Sequence, residues 1–236
     1  MVYQWIKNNL SQWLPQSCVL CGQDTQHHAL CPACLRDLPR LGEHTCWQCG
    51  LPLDLAPAPG LCGHCQQQPP AYDRVVSAFA YAKPVSQLVS KLKFRGQIQL
   101  ARLFGELLAD HIGCIGSPAQ AVLPVPLHPR RLRSRGFNQA LEIARPLSRA
   151  LSLPMLTDTV HRHRDTQPQA EQSARQRERN IRGAFVPGKP VAYQCVAIVD
   201  DVMTSGHTVS EIAKLLRQAG VGQIEVWCVA RAWPHK

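Results

Sequence analysis

Two carboxylates stand side by side in 196-VAIVDDVMTSGHT-208, directly after an apolar run and just before a loop of hydroxyl residues and one glycine. In such a loop, backbone N–H groups and the hydroxyls of Thr204, Ser205 and Thr208 can surround a phosphate at the positive end of a following helix. Gly206 would let the backbone approach the anion closely. Asp200 and Asp201 would repel that anion unless the ligand also brought hydroxyls or a cation for them to engage. A phosphorylated ribose with bound magnesium has this chemistry, because Mg2+ prefers carboxylate and phosphate oxygens.

A second constellation lies near the start of the chain. Eight of the eleven cysteines form four CxxC pairs: Cys18 and Cys21, Cys31 and Cys34, Cys46 and Cys49, Cys62 and Cys65. Each pair can present two thiolates to one tetrahedral ion, so the four pairs supply two closed sites of structural type. Sequential pairing gives Cys18, Cys21, Cys31 and Cys34 one ion, and Cys46, Cys49, Cys62 and Cys65 the other. A cross-braced pairing satisfies the spacing equally. Two structural Zn2+ ions are expected, with iron–sulfur ligation or a redox dithiol as alternatives. Without metal, so small a head with so few apolar residues would not fold. His27, His28, His44 and His64 lie among the cysteines, but eight thiolates already fill both sites. Cys114, Cys195 and Cys228 read as small buried side chains.

Charge is distributed unevenly. Residues 73–195 hold 19 basic and 8 acidic side chains, against 3 and 4 before them and 4 and 4 after. The positive middle of the chain could meet phosphate or nucleic acid. No apolar run approaches the roughly 18 residues of a membrane span. The N-terminal MVYQWIKNNLSQWLPQ lacks the apolar core and cleavage site of a signal peptide, so a cytoplasmic protein is expected.

The elements that must position these groups follow from periodicity. Strands are expected at Val75–Tyr81, 121-AVLPV-125, 195-CVAIV-199 and 223-QIEVWCV-229. Helices are expected after Pro84 up to Gly96, from about Leu100, across 138-NQALEIARPLSRAL-151 with Asn138 as cap, and over His207–Ala219 with Gly220 closing it. A further helix, 2-VYQWIKNNLSQW-13, precedes the cysteines. Strands alternating with helices argue an α/β fold whose mostly parallel sheet binds ligands beyond the carboxyl ends of its strands. The proline-rich 51-LPLDLAPAPG-60 reads as a loop, and 66-QQQPPA-71 as a boundary between a head, 1–70, and a main domain, 71–236.

The thirteen-residue string resembles the 5-phosphoribosyl 1-diphosphate (PRPP) signature of type I phosphoribosyltransferases. The resemblance implies a parallel sheet of about five strands, ribose hydroxyls on Asp200 and Asp201, and the 5-phosphate on Met203, Thr204, Ser205, Gly206, His207 and Thr208. Over nearly the whole length, the cysteine-rich head, 91-KLKFRG-96, 124-PVPLHPRRLRSRGFNQA-140, 179-RNIRGAF-185 and this signature occur in the order of the ComF/GntX family. That family of competence-related, phosphoribosyltransferase-like proteins is associated with DNA uptake or the use of external DNA, and its acceptor substrate is unsettled.

The resemblance also gives the basic segments roles. Arg130, Arg131, Arg133 and Arg135, read as a loop just beyond a strand, could receive a diphosphate or a nucleic-acid backbone, since guanidinium matches phosphate oxygens in two-pronged fashion, and the resemblance implies the diphosphate. The run 161–185 reads as a lid in which Arg164, Gln169, Arg175, Arg179 and Asn180 would close over the reacting centre, with Gln172 where the family usually has leucine. Arg164, Arg175 and Arg179, together with the acid pair, are the candidate catalytic residues. Lys93 and Arg95 either complement a helix dipole or enter the cleft. The resemblance thus implies PRPP or another phosphorylated ribose as ligand, with Mg2+. Single-stranded DNA or DNA-uptake proteins are the macromolecular partner classes. A Mg-dependent phosphoribosyltransferase is one reading; a PRPP or nucleotide sensor without turnover, or a single-stranded-DNA accessory protein, is the alternative.

Overall fold

The structure, a computed structural model, describes residues 16–25, 29–42, 44–53, 60–165 and 181–233. The helix expected at 2–13 lies outside them. In the head, β1 (Gln16–Ser17) and β2 (Asp24–Thr25) pair antiparallel. Two one-turn helices follow, α1 (Pro32–Arg36) and α2 (Gly63–Gln67). Each starts directly after a cysteine, Cys31 or Cys62, whose sulfur accepts a hydrogen bond from the N–H of Cys34 or Cys65.

Runs of Val, Ile and Ala give the main domain its strands, whose near-continuous apolar character suits burial on both faces. These are β3 (Arg74–Ala80), β4 (Ala121–Pro124), β7 (Cys195–Met203) and β8 (Gln223–Arg231). They form one all-parallel sheet in the order β3-β8-β7-β4. The described residues thus contribute four strands, not about five. Helix α3 (Val85–Arg95) buries Val85, Leu88, Val89 and Leu92, the stripe its sequence marks, and Gly96 ends it. Helix α4 (Gln99–Ile115) packs on α6 (Gln139–Ala150), and the approach is close. A Cβ on Gly105 would come within 2.4 Å of the Pro146 ring and 2.5 Å of the Ile143 carbonyl. Asn138 caps α6 as expected, its Oδ1 accepting from Ala140 N at 3.1 Å.

Three expectations change. First, β7 does not stop at Val199. Asp200, Val202 and Met203 keep their register with Cys228, Ala230 and Arg231 of β8, so the acid pair lies inside the strand. Second, the segment after β4 is not a loop throughout. His128 Nδ1 accepts from Arg130 N at 3.2 Å, Pro129 takes the first turn, and α5 (Pro129–Arg135) runs until Gly136 at φ 83°. Third, an antiparallel ribbon of β5 (Val160–Arg162) and β6 (Phe185–Pro187) flanks the segment read as a lid.

The sheet has a core on each face. One holds Leu88, Leu92, Phe104, Leu147 and Trp227 under α3, α4 and α6. The other holds Ile198, Val226, Ile212 and Leu216 under α7 (His207–Gln218). A buried carboxylate between strands, Glu225, is satisfied by Ser117 Oγ (2.6 Å), Trp227 Nε1 (2.8 Å) and Arg74 Nη1 (3.4 Å). Among the described residues, no helix is long and apolar enough to cross a membrane.

Candidate functional site

Strand alternation decides how the acid pair is used. Successive side chains leave β7 on opposite faces, so Asp201 turns toward the α3 side and Asp200 toward the other. Lys93, in the last turn of α3, meets Asp201 with Nζ 2.9 Å from Oδ1. Asp200 accepts from the N–H of Asp201 at 2.9 Å. Burial first, and the neighbouring Asp201 second, push its carboxyl up to about 7, against the downward pull of Lys93 and Arg162. The pair therefore sits where an added cation or hydroxyl donor would relieve it.

Beyond β7, the residues from Thr204 lead into α7, which no side chain caps. Its first N–H groups are left for a ligand, at the end of the helix that favours anions. Gly206 holds φ +77°, and a Cβ there would lie 2.8 Å from Met203 Cε and 2.9 Å from Tyr72 Oη. Thr204, Ser205, His207 and Thr208 line a cavity of about 400 Å³ together with Asp200 and Asp201. Met203 is buried below the loop, with Gly206 beside it.

The cationic wall comes from three elements. Lys93 is on α3, Arg131 and Arg135 on α5, and Arg162 on β5. Helical spacing sorts the four arginines after β4. Arg131 and Arg135, four apart, face the cavity, whereas Arg130 and Arg133 are exposed and do not line it. Burial first lowers the guanidinium pKa of both Arg131 and Arg162, and each has a second arginine to oppose it. Asp165 pairs with Arg131 at 3.5 Å. Arg135 Nη1 donates to Gln139 Oε1 at 2.8 Å, which leaves Gln139 Nε2, buried, without a hydrogen-bond partner. His207 Nδ1 is in the same position. Two orphaned polar atoms in one cavity are what a polar ligand would satisfy.

Sequence reasoning assigned no ligand role to Arg162 or Gln139. Arg162 carries a weak signal, being two residues after buried Val160 on a strand that alternates. Gln139 carries none, since it reads as part of a helix start. Arg164 is exposed and does not line the cavity. Arg95 is exposed too, in the same last turn of α3 as Lys93. Gln169, Gln172, Arg175, Arg179 and Asn180 lie outside the described residues, as do His27 and His28.

The cysteines gather sequentially, not cross-braced. Cys18, Cys21, Cys31 and Cys34 form one cluster and Cys46, Cys49, Cys62 and Cys65 another, each with its ligand atoms within 4.8 Å of one another. The Cys21–Cys31 and Cys49–Cys62 sulfurs are 3.7 Å apart, and none of the cysteines forms a disulfide. Four sulfurs at ~2.3 Å around a tetrahedral ion would be roughly 3.8 Å apart, so the clusters fit a metal such as zinc. Against the cost of burial, the N–H groups of Cys21, Cys31 and Leu20 hold the Cys18 thiol down at about 6. Those of Cys62, Cys49 and Gln48 likewise hold Cys46 down at about 7.

Several known proteins are similar to this chain. Residues 10–66 match the double zinc ribbon domain, and residues 137–233 match the phosphoribosyl transferase domain. The DNA utilization protein YhgH of Escherichia coli K12 is 38% identical over 225 residues, covering 92% of this chain and 98% of that one. Competence protein F of Haemophilus influenzae is 36% identical over 214 residues, covering 87% and 91%. Competence protein ComFC of Streptococcus pneumoniae is 24% identical over 230 residues, covering 91% and 99%. A purine phosphoribosyltransferase from Pyrococcus horikoshii matches at TM-score 0.33 and 14% identity, over 56% of this chain and 79% of that one, too distant to carry an argument. With such relatives matching from the cysteine-rich head through the sheet, the chain belongs to the ComF family of competence and DNA-utilization proteins that carry a phosphoribosyltransferase domain.

Proposed function

We propose that the protein binds Mg-PRPP in the cavity at the carboxyl end of β7 and serves DNA uptake or the use of external DNA in the cytoplasm. Residues 1–70 would form a head holding two structural zinc ions, and residues 71–236 a type I phosphoribosyltransferase-like domain. The observation that carries this reading is the convergence on one cavity of an uncapped helix N-terminus, an acid pair and arginines from two further elements. The 5-phosphate would rest on the N–H groups and hydroxyls of 204–208, with the ribose hydroxyls on Asp200 and Asp201. Arg131, Arg135 and Arg162 would face the diphosphate. Magnesium, when bound, would neutralise the oxygens between the acid pair and the diphosphate. If a nitrogen acceptor attacks the anomeric carbon, the arginines would stabilise the departing diphosphate electrostatically.

Titration calorimetry with the zinc-loaded chain tests this directly. Binding of Mg-PRPP that is lost in an Asp200→Asn/Asp201→Asn double variant is the expected result, and an acceptor screen read by diphosphate release then follows. If the folded, zinc-loaded protein shows no binding, the PRPP reading fails. Binding of single-stranded oligonucleotide in its place would favour the accessory DNA-binding reading.

A further inference from the structure

Arg231, the last residue of β8, is buried to 3% exposure, and none of the ion pairs among the described residues includes it. Its Nε and Nη1 donate to backbone carbonyls. Nε reaches Cys49 at 2.7 Å, and Nη1 reaches Met203 at 3.1 Å, Thr204 and Ala232. A buried cation needs negative charge nearby. Four thiolates around a divalent ion carry a net charge of about −2, and Cys49 belongs to such a set.

The two loop carbonyls matter for a geometric reason. A peptide unit is planar and trans, so its C=O and the next N–H point in opposite directions. Holding the carbonyls of Met203 and Thr204 toward Arg231 therefore turns the N–H groups of Thr204 and Ser205 the other way, the first with help from Ala232 N, which also donates to the Met203 carbonyl at 2.8 Å. Both residues line the cavity. A second path runs beside the first. Gln48, between two cluster cysteines, donates to the Tyr72 carbonyl at 3.1 Å, and the Tyr72 hydroxyl lies against Gly206.

We propose that Arg231 is a positioning residue, clamped between the second cysteine cluster and the start of the anion loop, through which the filled cluster sets the direction of the Ser205 N–H and, together with the Ala232 N–H, that of Thr204. The effect on affinity rests on reading the cavity as a PRPP site; the ordering of the loop does not.

The test uses the full zinc-loaded chain, Arg231→Gln, Arg231→Lys, Cys62→Ser and the Arg231→Gln/Cys62→Ser double variant. NMR order parameters for 204–208 are measured without ligand, alongside zinc content and Mg-PRPP affinity. Arg231→Gln should keep both metal ions yet lower the order parameters of 204–205 from about 0.85 to below about 0.6, leaving those of β4 unchanged. Affinity should fall at least about tenfold, as expected when hydrogen bonds to a charged group are lost. Arg231→Lys, with its charge kept but its fork removed, should fall between. Cys62→Ser should reproduce the loop change, and the double variant should add little to it. A loop as ordered in Arg231→Gln as in the original chain, or additive losses in the double variant, would overturn the proposal. Should Arg231→Gln not fold, Arg231→Lys and Cys62→Ser decide by the same readout. If the unaltered protein binds no PRPP, the cleft reading fails while the order parameters still decide the role of Arg231.

Discussion

The two cysteine clusters have the same ligand set and nearly the same local geometry, yet different contacts attach them to the molecule. The first joins the large apolar core. Cys18, Leu30, Cys31 and Leu38 pack in one continuous cluster with Phe79, Leu88 and Phe104. The second forms a small cluster of its own with Leu51 and Leu53. Its attachment includes directional bonds, from Val75 N to Trp47 O (3.3 Å), from Gln48 to Tyr72, and from Arg231 to Cys49 O. Apolar burial is non-directional and holds elements together. Hydrogen bonds have preferred angles, so they can fix where a particular loop points. On the role proposed for Arg231, the first cluster is suited to stability and the second to the placement of the loop 204–208.

That contrast is broken most directly by removing one ligand from each cluster. Cys31→Ser should cost the first metal and disrupt the core it joins, a loss above about 4 kcal/mol in denaturant unfolding. Cys62→Ser should cost the second metal with a smaller stability loss, about 1–3 kcal/mol, but with weakened Mg-PRPP binding. Equal stability losses in the two variants would remove the distinction. Zinc content measured on the same samples shows that each substitution emptied only its own site.

Gly206→Ala sharpens the contrast, because it disturbs the loop without touching a metal ligand. At φ +77° an alanine is strained by roughly 1–2 kcal/mol. Its Cβ would also press on Met203 Cε and Tyr72 Oη. The expected outcome in calorimetry is full zinc content with Mg-PRPP affinity reduced at least about tenfold. Retained affinity would mean that the loop tolerates the displacement, and would weaken the case that the second cluster acts through loop geometry.

Much of this was legible in the residues. Apolar runs marked the four strands, the stripe Val85, Leu88, Val89, Leu92 marked α3, and CxxC spacing marked both clusters. The metal pairing was not legible, because spacing permits two connectivities and only packing chooses. Nor was the end of β7, since two adjacent carboxylates look like a strand terminus until the register with Cys228 and Arg231 is seen. The run around Arg131 read as a loop because its charge concealed the His128 cap, the Pro129 start and the Gly136 stop. Arg231 gave no signal at all. A lone arginine near the end of an apolar strand reads as a surface residue, and its role depends on Cys49, 182 positions earlier.

The smallest expected effect concerns pH. Asp200 titrates near 7 in the folded chain against the ordinary carboxylate value of about 3.8, because of its burial and the adjacent Asp201. Between those values the folded chain holds more protons than the unfolded one. This contribution to stability is therefore full below about pH 4 and is lost as pH rises through 7. Asp200→Asn fixes a neutral side chain at that position. The Tm of the unliganded original chain should fall relative to the variant by roughly 2 °C or more between pH 5 and 7.5. The difference removes the histidines' own titration, which both proteins share. Cys62→Ser should keep the same slope, because the charges that bear most on Asp200 are those of Asp201, Lys93 and Arg162. A slope that vanished with the second metal would show that this cluster governs the acid pair as well as the anion loop.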